Sequence, residues 1–263
     1  MKKILLSIIL LCGIIACQSS QKFVNKDVPN TPSPGFDLAG SDAKAIEIAD
    51  DVMKSSGGRY AWDMTRYIRW TFLGKRALLW DKTKERVRID FLDQALKIRI
   101  NLKDMTGKVW KDGQELTHPD SLKKYLARGK SIWINDSYWL VMPFKLKDSG
   151  VTLKYVGKKL NFVQAECDDL VLTFTGVGDT PDNKYHIYVN PSSKMVTQWD
   201  YYAKITDEKP RMSTPWADYR ALGNIMLSTS RGDGRSMAPM GVYRQIPDSV
   251  FTSFYDINWA KVK

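Results

Sequence analysis

Reactive side chains are scarce in this chain, which holds only three cysteines and two histidines among 263 residues. His118, beside Pro119, and His186 have no HExxH or His–carboxylate spacing around them, which argues against a metal centre of that kind. No G-x-S-x-G elbow occurs. The glycines at 150 and 157, followed by Lys158-Lys159, have the wrong spacing for a phosphate loop. Asp168 and Asp169 are adjacent, so a strand aims them at opposite faces and denies them a shared substrate. Arg231-Gly232-Asp233-Gly234 reads first as a tight turn and only then as an adhesion motif. Neither a cofactor nor a catalytic group is therefore expected. The one enzymatic alternative is a hydrolase built on His186 with Asp168 or Asp169. The apolar run from Ile4 to Ala16 is also shorter than the roughly 20 residues a helix needs to cross a bilayer.

What that short run does carry is an address. Lys2-Lys3 followed by a brief apolar stretch has the form of a secretory signal. Ile14-Ile15-Ala16-Cys17 resembles the lipobox of bacterial lipoproteins, with a small residue at the cut and a thiol to receive the diacylglyceryl group. Cys12 is the poorer candidate because bulky Leu11 precedes it. The expectation is a signal peptide over residues 1–16 and lipid on Cys17, anchoring the chain to a membrane. By resemblance to Gram-negative sorting rules, Gln18 in place of aspartate favours the outer membrane. Ser19-Ser20-Gln21-Lys22 lacks the acidic pair of a surface-export signal, so the expected position faces the periplasm. Several acyl chains make stable anchoring reasonable, since one chain holds only marginally. The rest of residues 17–40 is polar, with proline and glycine near 29–35, and reads as a flexible tether.

With Cys12 removed and Cys17 lipidated, Cys167 is left without a partner. It reads as a small buried residue in a domain held by its core and not by disulfides. The formal net charge of +11 includes Lys2 and Lys3, and the remaining surplus is spread along the chain. A nucleic-acid binder would gather it into a stripe with interleaved aromatics, so no nucleic-acid partner is expected. Anionic lipid headgroups suit a basic surface better, although such a surface is also simply well solvated.

Residues 41–263 read as one domain. Ser41 suits an N-cap, Ala45, Ile46, Ala49, Val52 and Met53 fall at helical spacing, and Gly57-Gly58 supplies a stop. The period then drops to two. Ile68, Trp70 and Phe72 alternate with Tyr67, Arg69 and Thr71. Val87, Ile89 and Phe91 alternate with Arg86, Arg88 and Asp90, and Leu96, Ile98, Ile100 and Leu102 with Lys97, Arg99 and Asn101. Each is expected to be an antiparallel strand with one wet face. Thr117-His118-Pro119-Asp120 opens a helical insertion in two stretches that Pro143 ends. Strands follow at 151–156, 162–174, 185–189, 195–202, 219–227 and 241–243, and the aromatic tail 251–259 is expected to pack back on the sheet. A single large antiparallel sheet with helices on one face would bury these stripes.

At this point the chain resembles the LolA/LolB-like superfamily of envelope lipid carriers, and more nearly an uncharacterised family of Bacteroidota lipoproteins of that architecture. The resemblance rests on Gly58 with Ala61-Trp62, residues 67–72, the Leu79-Trp80-Asp81 turn, residues 138–148, residues 184–189 and Trp199-Asp200-Tyr201. It implies an α+β fold that is mainly β, an open and strongly bent antiparallel half-barrel with a helical lid over an apolar cavity. Trp70, Phe72, Trp80, Phe91, Ile98, Trp133, Trp139 and Met142 are the candidate lining residues. A filled core with no ligand explains the same residues equally simply. The expected function is non-enzymatic binding of a lipid, acyl chain or other hydrophobic ligand, in lipid or lipoprotein trafficking. The alternative is a structural or regulatory envelope lipoprotein that binds a protein partner.

Overall fold

The computed structural model describes residues 28–179, 182–259 and 262. The expected signal peptide, Cys17 and the first part of the tether lie outside them. The rest of that stretch, 28–40, is mostly exposed and is fastened to the domain at a few points. Phe36 is buried in the core, Ser33 N–H bonds to Lys147 O, and Asp37 N–H bonds to Val151 O.

The chain is α+β, made of antiparallel sheets and one long helix, and no sheet closes into a barrel. Helix α1 covers Ala43–Ser55 and α2 covers Arg59–Met64. Its N-cap is Asp42 and not Ser41, and neither side chain caps it in the usual way. Instead Ser41 Oγ donates to Asp37 O and accepts Leu153 N–H, while the Asp42 carboxylate accepts Tyr155 N–H and Lys154 Nζ. Both side chains fasten the helix start to a strand. Gly57 and Gly58 take positive φ and end α1 as their type allows, but only to turn the chain into α2.

The first sheet is a meander of β1 (Tyr67–Phe72), β2 (Arg76–Asp81), β3 (Arg86–Phe91), β4 (Leu96–Asn101), β5 (Gly107–Lys111) and β6 (Gln114–Glu115). Then comes α3, a single helix over Pro119–Val141 where two stretches were expected. Pro143 sits in a 3-10 turn at Met142–Phe144 that continues it. The second sheet is formed by β7 (Val151–Leu160), β8 (Glu166–Phe174), β9 (Lys184–Val189), β10 (Val196–Tyr202) and β11 (Met212–Pro215), in the order β11-β10-β9-β8-β7. The stretch expected as one strand at 219–227 is a hairpin of β12 (Ala217–Leu222) and β13 (Ile225–Ser230). Gly223, at positive φ, holds the first position of its two-residue turn. Finally β14 (Gly241–Tyr243) returns to pair with β1.

One large sheet is therefore replaced by two and a hairpin. Helix α3, which lies between the two sheets in sequence, serves both cores. Leu126, Leu140 and Val141 join the first-sheet core with Ile68, Trp70, Ile89 and Ile98. Tyr138 and Trp139 pack on the second core, which is built from Leu153, Leu170, Leu172, Ile187, Trp199 and Met142 and is also covered by α1.

The expected wet face of the first sheet is not wet. Tyr67, Thr71, Arg88 and Arg99 are all buried. The chain after Ile246 covers that face, with Phe251 stacked on Tyr67 and the Arg99 guanidinium over Phe254. Arg88 donates to Val250 O and Tyr255 O, and Arg99 to Ser253 O, with Asp90 held between the two guanidiniums at 2.7 Å from each. The alternating arginines thus serve as donors to a second layer. The aromatic tail packs on the sheet as its composition suggested.

Candidate ligand cavity

A cavity of about 700 Å³ opens where the C-terminal half of α3 passes between the two sheets. Helix residues 131–139 form one wall. Trp80 of β2, Phe174 of β8 and Tyr185 of β9 face them, together with Lys145, Asp148, Ser149 and Val151 and with Val177, Gly178, Asp179 and Asn183. The rings are braced against one another. Trp133 meets Trp80 edge-on at 5.3 Å, and Trp139 meets both Phe72 (5.9 Å) and Trp199 (4.9 Å) edge-on. Tyr185 stacks on Trp199 at 5.0 Å, with Tyr138 at 5.7 Å from Tyr185. Such offset and edge contacts fix ring positions.

Besides the Lys145–Asp148 pair and Asp179 at its margin, the lining holds a part-buried charged pair. Arg76 of β2 donates through Nε and Nη2 to the two carboxylate oxygens of Asp136 on α3, at 2.8 and 3.0 Å. Asp136 is wholly buried and also accepts from Asn135 Nδ2 at 2.9 Å. Burial pushes its carboxyl above the usual aspartate value, and the pairing with Arg76 opposes this. The fork geometry orients both groups and ties helix to sheet. Around the cavity, Trp80 Nε1, Trp133 Nε1 and Tyr138 OH are buried with no hydrogen-bond partner among the described residues. Burial holds the Tyr138 and Tyr185 phenols well above their ordinary value, so both remain neutral donors.

Of the eight residues chosen from sequence, Trp80, Trp133 and Trp139 line this cavity. Trp70, Phe72, Phe91 and Ile98 lie in the filled first core, and Met142 lies in the second. Sequence reasoning missed Tyr138, Phe174, Tyr185, Arg76 and Asp136. Helical spacing from Ile132 was the available signal for Asp136. Nothing local marked Phe174 and Tyr185, which meet only because β8 and β9 pair across the 175–183 loop.

The other candidates fall elsewhere. His118 is exposed at the start of α3. His186 Nδ1 lies 2.9 Å from Asp169, and its ring leans on Tyr202 at 5.2 Å. Asp168 instead meets Tyr155 OH (3.2 Å) and Lys158 Nζ (3.0 Å). No serine, threonine or cysteine hydroxyl or thiol bonds to His186 among the described residues. Cys167 is fully buried and unpaired by disulfide. Among the described residues no cluster of His, Cys, Asp or Glu could hold a metal ion, and no helix is long and apolar enough to cross a membrane. Arg231 is buried with its guanidinium over the Trp216 ring, donating to Trp139 O and to Ser228 and Ser230, so the Arg-Gly-Asp run turns its arginine inward.

No family model matches the chain, and no curated protein matches it either. Among solved structures it is similar to a DUF1329 family protein from Desulfovibrio piger ATCC 29098. The TM-score is 0.42 at 12% identity, over 79% of this chain and 96% of that one.

Proposed function

We propose that this chain is the precursor of an outer-membrane lipoprotein, lipidated on Cys17 and facing the periplasm, whose domain holds an acyl chain or another hydrophobic ligand without catalysing a reaction. The cavity carries this reading. Its volume of about 700 Å³ falls in the usual range for small-molecule sites, roughly 300–1,000 Å³. Most of the surface its walls present is apolar, with six aromatic rings among the lining residues, and each methylene buried there is worth about 0.8 kcal/mol. The unpartnered indole and phenol donors supply a few polar contacts for a ligand's ester or carbonyl. The likeness of Gly58, Ala61-Trp62, residues 67–72 and residues 138–148 to the LolA/LolB-like carriers supports the same reading, with lipid or lipoprotein trafficking as its setting.

Native mass spectrometry on the full chain carrying Cys17→Ala, which has no covalent lipid, tests this. A co-purifying lipid mass is expected, and Val177→Trp, which places an indole in the cavity, is expected to remove it. Bare protein alone, before and after exposure to envelope lipid extract, overturns the reading.

One observation favours a second reading, a structural or regulatory lipoprotein that binds an envelope protein. Leu160, Phe162 and Val163, all more than half exposed, lie at the tip of the β7–β8 hairpin, with Val156, equally exposed, farther down β7. An apolar patch of that kind is a common feature of protein-binding surfaces. One stoichiometric protein captured by the wild type and lost on Phe162→Asp, with no lipid in the cavity, would select it.

A further inference from the structure

A second, smaller cavity of about 380 Å³ adjoins the first and shares Trp80, Lys145 and Asp148 with it. Its character is opposite. Arg59 and Asp63 of α2, Lys82 of the β2–β3 turn, and the Lys145–Asp148 pair line it, giving three cations to two carboxylates. The carboxylates are already engaged. Arg59 Nε bonds to Asp63 at 2.8 Å, and Lys145 bonds to Asp148.

Lys82 is the cation left over. Its Nζ lies 3.3 Å from the centre of the Trp62 ring and donates to Trp62 O, and it makes no ion pair among the described residues. Trp62 is held flat against Phe144 at 4.5 Å, so the ammonium sits on a fixed aromatic platform. Burial lowers its pKa to about 7, with Arg59 and Lys145 nearby adding to the effect and Asp63 opposing it. An anion arriving beside Lys82 offsets that desolvation and holds the proton.

We infer that the ligand is an amphiphile with an anionic head, its hydrocarbon chain in the aromatic cavity and its carboxylate or phosphate against Lys82 in the polar annex. This rests on the cavity reading above and adds the chemical class of what fills it. Trp80, common to both spaces, would sit at the junction of chain and head, where an apolar ring with one N–H donor fits both.

The test compares palmitate with hexadecanol, which has the same chain and no charge, by displacement of a fluorescent acyl probe from the full chain carrying Cys17→Ala. Acetate and inorganic phosphate supply the charge without the chain. Palmitate is expected to bind about tenfold more tightly than hexadecanol, the scale of one charge-assisted contact. Lys82→Met is expected to bring that ratio to about one, and Lys82→Arg to preserve it. Equal affinities for palmitate and hexadecanol in the wild type overturn the anionic head and leave the cavity reading standing. Failure of both to bind overturns the cavity reading itself. Acetate or phosphate binding as tightly as palmitate overturns the amphiphile in favour of a free-anion site. A ratio that survives Lys82→Met moves the head away from Lys82 and refutes the proposed placement.

Discussion

Asp81 ends β2 with its carboxylate wholly buried and shared between two arginines, Arg66 at 3.1 Å and Arg86 at 2.9 Å, while Lys84 N–H donates from the turn. Burial alone would raise this carboxyl, but the bonds from Arg66, Arg86 and the Lys84 amide outweigh it and hold the pKa below 3.8. A carboxyl depressed in the folded state contributes stability above its unfolded value and loses it as the pH falls through the folded one. Asp81→Asn is expected to cost about 2 kcal/mol near neutrality and progressively less below pH 3.8. Urea midpoints of both proteins at about pH 7 and about pH 2.5 check this, and a gap that stays constant would refute it. From sequence, Asp81 reads only as part of a turn. Its arginines lie outside that turn and are brought to it by the β1–β2 and β2–β3 registers. Cys167 was legible because an unpaired cysteine in a strand is usually a buried one.

At the scale of elements, α3 shows both what patterning reveals and what it hides. Leu122, Tyr125 and Leu126 mark its first half, and Pro119 and Pro143 bracket it. The break read into its middle does not exist. Gly129 weakens the sequence signal by about 1 kcal/mol of helix propensity, yet the helix runs through it. The reason is tertiary. A Cβ built at Gly129 would stand 3.0 Å from Ile98 Cγ2, so glycine allows α3 to lie close on β4. Gly129→Leu is expected to destabilise the fold by about 2 kcal/mol or more through overpacking, despite its better helix propensity. Chemical denaturation measures it, and a stabilised variant would mean that α3 does not rest on Ile98 as described. The hairpin at 217–230 was hidden for a different reason. Gly223-Asn224 lies inside a run of otherwise strand-forming residues, and period-two counting carries straight across it.

Considered whole, the molecule is two sheets joined by one helix, with the cavity at the joint. Period-two patterning identified most strands and the α+β class, because each strand's inward side chains are set locally. It could not report how many sheets those strands form, since pairing partners are distant in sequence. Nor could it report that a tail would cover the arginine-bearing face. That cover makes a prediction. Truncation after Ile246 removes the tail acceptors of Arg88, Arg99 and Lys97, leaving the first two with Asp90, and uncovers Tyr67 and Leu79. The melting temperature is expected to fall by about 10 °C or more, which corresponds to a loss of several kcal/mol in a domain of this size. A melting curve unchanged by the truncation would show that the tail adds nothing to the sheet.

The pairing of β14 with β1, and the laying of the tail over β3 and β4, also set a schedule for synthesis. Everything needed for the six-strand meander has been made by residue 115, yet one edge and one face of that sheet wait for residues 241–257. During the translation of roughly half the chain, a nascent meander would carry an open strand edge and an uncovered face whose arginines lack their carbonyl acceptors on the tail, a state prone to faulty association. The sheet that begins the fold is thus completed last, and a chaperone that delays its collapse until the final residues emerge would act on that interval.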